Sequence, residues 1–433
     1  MSAKTTERAV RIPFERYALD NGLRVVLSRD TSAPVVAVNL WYNVGSRNER
    51  PGRTGFAHLF EHMMFQGSEN VPEMAHFALI EQAGGSLNGS TWLDRTNYFE
   101  TLPAHYLELG LWLESDRLGW LLPAMTQEKL DNQRDVVKNE RRWRVDNQPY
   151  GDWDERLQAM MYPADHPYHH SVIGSMEDLD AASLEDVEQF FRTYYAPDNA
   201  VLSLVGDFDP VQARELIERY FGDIPRGAGI PPLPGRTEIP LHMGSEVRDT
   251  VRQDISLARV YQAYRTPPYG TDGYYASLVA SYILGSGKAA LLYRTLVRER
   301  QLAQDVVAYA FPIVVGASML VVWATARPSA DVTTLESVLA DEIESLASVS
   351  DADVERAIAM IEGRHLTDLQ TVDERADQLS MYTTIFDEPD RINTELGRVQ
   401  RVTTAAVREF AATCLRRDNR AVLRYVPRDG SGA

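Results

Sequence analysis

Two histidines and a glutamate stand together in the string His58-Leu-Phe-Glu-His62. On a helix, residues four apart share one face, a turn apart. Both imidazoles could then grip one cation. Glu61 borders the same face and can reach a water beside that cation without binding the cation itself. Two imidazoles and one carboxylate make a catalytic zinc set that leaves one position open. The order H-x-x-E-H inverts the commoner H-E-x-x-H, and both orders carry hydrolytic zinc chemistry.

A third ligand has to come from outside the string. Glu69, Glu73, Glu81, Glu100, Glu114, Glu140 and His76 are the candidates. Glu140 stands out because Val136 and Val137 precede it by four and three residues in DNQRDVVKNERRWR, so it borders the apolar stripe of a helix. A carboxylate at such a border needs a partner, and a metal would be one. The competing reading has two core-facing histidines, a surface glutamate and no metal.

The surrounding chain must hold these groups in place. GLRVVLSRD and APVVAVNLWYNVG alternate apolar and polar residues between turn residues, which predicts strands of a half-buried sheet. FAHLFEHMMF reads as a helix ending at Gly67, and PEMAHFALIEQAGG as a second helix closed by Gly84 and Gly85. SLNGSTWLDRTNYFETLP predicts a hairpin. HYLELGLWLESDRLGW, the run from Thr126 to Asn147 and ASLEDVEQFFRTYY predict helices, and NAVLSLVGDF a strand.

The composition changes at IPRGAGIPPLPGRTEIP, whose density of proline and glycine predicts an extended linker at 225–240. It separates a first unit at 1–224 from a second at 241–433. The second unit repeats the order of the first. DISLARVYQAYRTPP is strand-like, YYASLVASYIL and GKAALLYRTLVRER helical, and DVVAYAFPIVVGASMLVVWATA a pair of strands. TLESVLADEIESLA and VERAIAMIEGRHLTDLQ are helical, and NRAVLRYVPR is a closing strand. Hairpins alternating with helices predict the α+β class, with two related αβ domains.

The whole sequence has 433 residues, 44% of them apolar, enough for sizeable cores without covalent staples. Forty-four Lys and Arg against sixty-two Asp and Glu leave a net charge of −18. That argues against nucleic acid or an anionic membrane surface as main partner. Cys414 is the only cysteine, so no disulfide forms within the chain and no Cys-rich metal site exists. MSAKTTERAVRIPFERYALDNG has no apolar core, and FPIVVGASMLVVWA is too short to span a bilayer. A cytoplasmic location with no secretory signal is expected.

The sequence resembles the family of pitrilysin, insulin-degrading enzyme and the mitochondrial processing peptidase, and is similar to its short bacterial two-domain members. The resemblance rests on GRTGFAHLFEHMMFQGS, on EQAGGSLNGSTWLDRTNYF, and on the stretch from YHHSVIGSMEDLD to NAVLSLVGDFD. In that family the inverted motif is followed by a glutamate ligand on a second helix, and here Glu140 follows His62 by 78 residues in VVKNERR. The resemblance implies His58, His62 and Glu140 as ligands of one Zn2+ per chain, and Glu61 as general base. It implies Asn88, Gly89 and Ser90 on an edge strand that pairs with an extended peptide. The implied fold is two homologous αβ domains, each with a mixed, mainly antiparallel sheet packed against helices. The implied activity is zinc-dependent endopeptidase cleavage of extended peptides or short unfolded polypeptides inside a closed chamber.

Two positions depart from the family pattern. Gln133 stands where an acidic helper often precedes the third ligand by seven residues. Arg298 matches the arginine of an Arg–Tyr pair that assists the oxyanion, but the tyrosine expected near Gln304 or Asp305 is absent, and Tyr309 comes late. Large members of the family carry four such domains, whereas two are present here. The resemblance therefore implies a homologous partner that supplies the Arg–Tyr pair in a heterodimer. A homodimer active alone is the second reading, and a structural subunit that has lost catalysis the third.

Other residues are read as structural. His166, His169 and His170 suit loop or cleft contacts, and His76 and His105 half-buried helix positions. Trp92, Trp112, Trp120, Trp143 and Trp323 suit core or interface, and Cys414 a buried small hydrophobe. Gly285-Ser-Gly-Lys288 reads as a helix start, not a nucleotide site.

Overall fold

The computed structural model describes residues 10–428, so the first nine residues of the segment read for a secretory signal lie outside it. The first half builds a six-stranded sheet from β1 (Glu15–Ala18), β2 (Arg24–Arg29), β3 (Val35–Tyr42), β4 (Ser86–Thr91), β5 (Thr96–Pro103) and β6 (Ala200–Gly206). Their order is β1-β2-β6-β3-β5-β4. Only β2 and β6 run parallel. The helices of this half are α1 (Phe56–Met63), α2 (Ala75–Gln82), α3 (Leu107–Trp120), α4 (Gln127–Arg141), α5 (Trp153–Met161), α6 (Met176–Asp180), α7 (Leu184–Tyr194) and α8 (Pro210–Phe221).

The second half repeats the plan. Its strands are β7 (Val247–Gln253), β8 (Arg259–Thr266), β9 (Ala303–Ala310), β10 (Ser318–Ala326) and β11 (Arg420–Pro427), in the order β7-β11-β8-β10-β9. Here β11 and β7 are the parallel pair. Its helices are α9 (Asp272–Gly285), α10 (Val332–Glu344), α11 (Asp351–Asp368), α12 (Val372–Phe386), α13 (Arg391–Gln400) and α14 (Thr404–Cys414). The order β2-β6-β3-β5-β4 matches β7-β11-β8-β10-β9 strand for strand, with β1 an extra edge strand of the first sheet, which makes the halves two related αβ lobes. No helix or strand lies between Phe221 and Val247. No helix among the described residues is long and apolar enough to cross a membrane.

The strands β2 and β3 are not half-buried as their alternation predicted. On β3, Val36, Val38, Leu40 and Tyr42 pack with the first lobe's own helices, while Ala37 and Trp41 pack on the opposite face with Ala376, Leu379 and Tyr382 of α12. The second lobe thus lends α12 to the first sheet. The exchange is reciprocal. Leu157 and Met161 of α5 pack on Tyr261, Val321 and Leu423, the outer face of the second sheet. Strands covered on both faces read as near-continuous apolar runs, which describes VVAVNLWY and AVLSLVG.

Three local readings change. Gly285 ends α9 instead of opening a helix, and Gly287 turns the chain at φ +81° before a separate π-helical turn at Tyr293–Glu299. His76 is wholly buried against Phe65. His105, read as half-buried, is exposed ahead of α3.

Candidate active site

His58 and His62 lie one turn apart on α1, their rings 4.9 Å apart and nearly perpendicular. Glu140 approaches from α4. Its Oε2 is 3.3 Å from His62 Nε2 and 3.7 Å from His58 Nε2. The three groups offer donor atoms all within 4.8 Å of one another, and they form the one such cluster of three or more among the described residues. Donors about 2.1 Å from a tetrahedral zinc sit roughly 3.4 Å apart, so the two close spacings fit zinc. Of the seven candidates for third ligand, Glu140 is the one the fold brings to the histidines. Glu100 and Glu114 are instead buried together around Arg117.

The electrostatics prepare the set. Burial, with His62 beside it, pushes the His58 imidazole down to about 4, which keeps it neutral and able to coordinate at pH 7. The histidines hold Glu140 below the usual carboxylate range, His62 first. Arg144, one turn later, grips Glu140 Oε1 at 2.9 Å and leaves Oε2 facing the histidines. His58 Nδ1 is buried with no hydrogen-bond partner among the described residues. Gln133 is buried on α4.

Glu61 faces β4, where Thr91 Oγ1 donates to its Oε2 at 2.6 Å. Burial pushes the Glu61 carboxyl up, opposed by Thr91 and by His62. A carboxyl whose pKa is raised by burial is better suited to proton transfer. Around these groups opens a cavity of about 560 Å³. Asn88, Gly89, Ser90, Thr91 and Trp92 form one wall, and Arg144, Val145, Asp154, Val172 and Ile173 the other.

The wall is an exposed sheet edge, since β4 is the outermost strand. At the hairpin end, the Trp92 amide donates to the Arg95 carbonyl, which fixes the phase of the ladder. Ser86, Asn88 and Ser90 therefore turn their main-chain groups toward β5, whereas Leu87, Gly89 and Thr91 turn theirs outward. The Gly89 amide is occupied by Asn88 Oδ1 at 2.9 Å. Asn88, Gly89 and Ser90 all line the cavity, but Gly89 alone of the three offers an outward main chain. Gly85 answers a different need: a Cβ there would strike Thr101 and Leu102.

Arg298 is exposed and does not line this cavity, and neither does Tyr309. Asp305, where a tyrosine was expected, accepts a hydrogen bond from Thr325 at 3.0 Å. The sequence reading missed Asp154 and Trp92 as wall residues. Trp92 stacks on Phe311 of the second lobe with ring planes 2° apart. Asp154 sits at the start of the lobe-crossing helix α5, so only the tertiary crossing brings it here.

Residues 24–169 match the profile of the insulinase family, Peptidase family M16, and residues 181–361 match the Peptidase M16 inactive domain. The chain belongs to the insulinase family. The zinc protease PqqE of Helicobacter pylori is 32% identical to this chain over 293 residues, or 67% of this chain and 65% of that one. The mitochondrial-processing peptidase subunit beta of Blastocladiella emersonii is 27% identical over 62% of this chain and 56% of its own. The crystal structure of a protease from Helicobacter pylori superposes with a TM-score of 0.89 at 25% identity, covering 96% of this chain and 100% of that one. The chain thus aligns with just under two thirds of the PqqE sequence, while its fold matches the whole of the Helicobacter pylori protease structure.

Proposed function

We propose that this chain is a zinc-dependent endopeptidase that cleaves extended peptides or short unfolded polypeptides. The observation that carries this reading is the convergence of His58, His62 and Glu140 beside Glu61, along an edge strand with outward main-chain groups. Zinc held by those three ligands would supply Lewis-acid chemistry, acidifying a water and polarising a carbonyl.

The chain's own residues do the rest. Leu87, Gly89 and Thr91 pair with the substrate main chain, and Asn88 gives up the Gly89 amide as the peptide docks. Thr91 fixes Glu61 Oε2, which leaves Oε1 to take the proton from the attacking water. Glu61 then delivers that proton to the leaving amine nitrogen. The Arg–Tyr pair that the family resemblance expects to steady the oxyanion is not among the described residues lining this cavity. Arg298 lies outside the cavity and Asp305 is engaged by Thr325. A homologous partner supplying an Arg–Tyr pair, and closing the cleft into a chamber, fits that gap. The relative named as a subunit supports a heterodimer. The single cysteine suits a reducing compartment, and we place the enzyme in the cytoplasm.

Cleavage of an unstructured peptide by the purified chain, alone and with candidate homologues, tests this. Activity that needs zinc, is abolished by Glu61→Gln and rises sharply with a homologue supports the heterodimer. Full activity of the chain alone would select the homodimer. No zinc-dependent cleavage under any combination would overturn the proposal.

A further inference from the structure

The helix that carries both histidines has an unusual start. Its N-cap is Gly55, held at φ +84° with no room for a Cβ beneath the Ile173 carbonyl, so the cap position itself offers no side chain. The first amides of a helix have no partner within it. Here two of them are taken by a residue of the preceding loop. Glu49 Oε2 accepts from the Gly55 amide at 2.9 Å, and Glu49 Oε1 from the Ala57 amide at 2.7 Å. The Glu49 side chain is completely enclosed, and His170 Nδ1 stands 3.5 Å from its Oε2. Beside it, Thr54 is tied through its amide to Asp178 Oδ2 at 2.9 Å.

We infer that Glu49 is a positioning residue for the metal set: its buried carboxylate caps α1 and holds His58 in register with His62 and Glu140. This rests on the zinc reading above. The two bonds sit on the residues flanking Phe56, immediately before His58. An eight-residue helix has little intrinsic stability, so its first turn depends on such outside contacts. His58 depends on them most. Its Nδ1 makes no hydrogen bond among the described residues, so no bond to that nitrogen fixes the ring from behind. The placement of its backbone must do so. Burial pushes the Glu49 carboxyl up, and the Ala57 and Gly55 amides it accepts from oppose that push.

The test is the zinc affinity of the full chain, measured by competition with a chromophoric chelator, with amide exchange at residues 55–58 read in the metal-free protein. Glu49→Gln keeps the shape but turns an amide NH2 toward one backbone N–H. It is expected to weaken zinc binding about tenfold and to speed exchange at those amides. Leu339→Ala, in the core of the second lobe, is expected to lower the melting temperature and leave zinc affinity at the wild-type value. A purely structural role for Glu49 would give the same pattern as Leu339→Ala. If the glutamine variant does not fold, Glu49→Asp carries the test, because its shorter carboxylate cannot span both amides and zinc binding should again weaken. Wild-type affinity in either folded Glu49 variant overturns the inference. Failure of the unmutated chain to bind zinc would overturn the proposed function instead.

Discussion

Thr91 and Glu61 meet across the cleft, the β4 hydroxyl donating to a carboxylate oxygen on α1 at 2.6 Å. The bond leaves Glu61 one free oxygen and opposes the upward push of burial on its carboxyl. Replacing Thr91 with Val should lower kcat about tenfold with little change in KM or zinc content, and Thr91→Ser should restore it. The sign of the pH effect follows. The base must be ionised, and losing the donor raises its pKa further. The acid limb of the kcat profile should therefore move to higher pH in Thr91→Val, and a profile that stays put would contradict the assignment.

Glu140 divides its oxygens between Arg144 and the histidines. Glu140→Gln removes the negative charge from the set and should weaken zinc binding by on the order of a hundredfold. Arg144→Met should weaken it less, since only the orientation of Oε1 is lost. Equal losses in both variants, by chelator competition, would mean that Arg144 does more than orient.

Asp154 makes a pH prediction on stability. Burial, followed by repulsion from Glu155, raises its carboxyl from 3.8 to about 6. A group whose folded pKa is raised gives stability that is present below its unfolded value and lost as pH rises through the folded one. Asp154 should thus cost the protein stability between pH 4 and pH 6. Asp154→Asn should remove that slope and stabilise the protein at pH 7 by on the order of 1 kcal/mol. Urea denaturation at pH 4 and pH 7 would check it, and an unchanged difference between those pH values would refute it.

The exchange of α5 and α12 ties the lobes into one folding unit. Leu379 is wholly buried between α12 and the first sheet, so Leu379→Ala should cost about 2–5 kcal/mol. Residues 1–224 and 241–433 expressed separately should each bare an apolar sheet face, bind a hydrophobic dye, and lose that binding when mixed. Two halves that each fold without exposed apolar surface would contradict this.

What the sequence revealed tracks what is local. The H-x-x-E-H spacing is a helix-face property, so His58, His62 and Glu61 were readable without a fold. Glu140 needed the likeness of VVKNERR to a known family, because several carboxylates satisfied the chemistry equally well. Both lobe-crossing helices went unread. Their amphipathic patterns show that a face is buried but not against which sheet, and α12 lies on strands more than 160 residues earlier in the chain. Glu49 was equally invisible, since capping from a loop leaves no fixed spacing. The half-buried reading of β3 failed for the same reason as α12: the cover comes from the other lobe.

The central claim is one zinc ion held by His58, His62 and Glu140. Anomalous scattering measured on both sides of the zinc edge, from crystals of the full chain, tests it most directly. A single peak per chain within bonding distance of the two Nε2 atoms and a Glu140 oxygen is the predicted result. Zinc-supplemented crystals with no peak there, or with the peak on other residues, would contradict it.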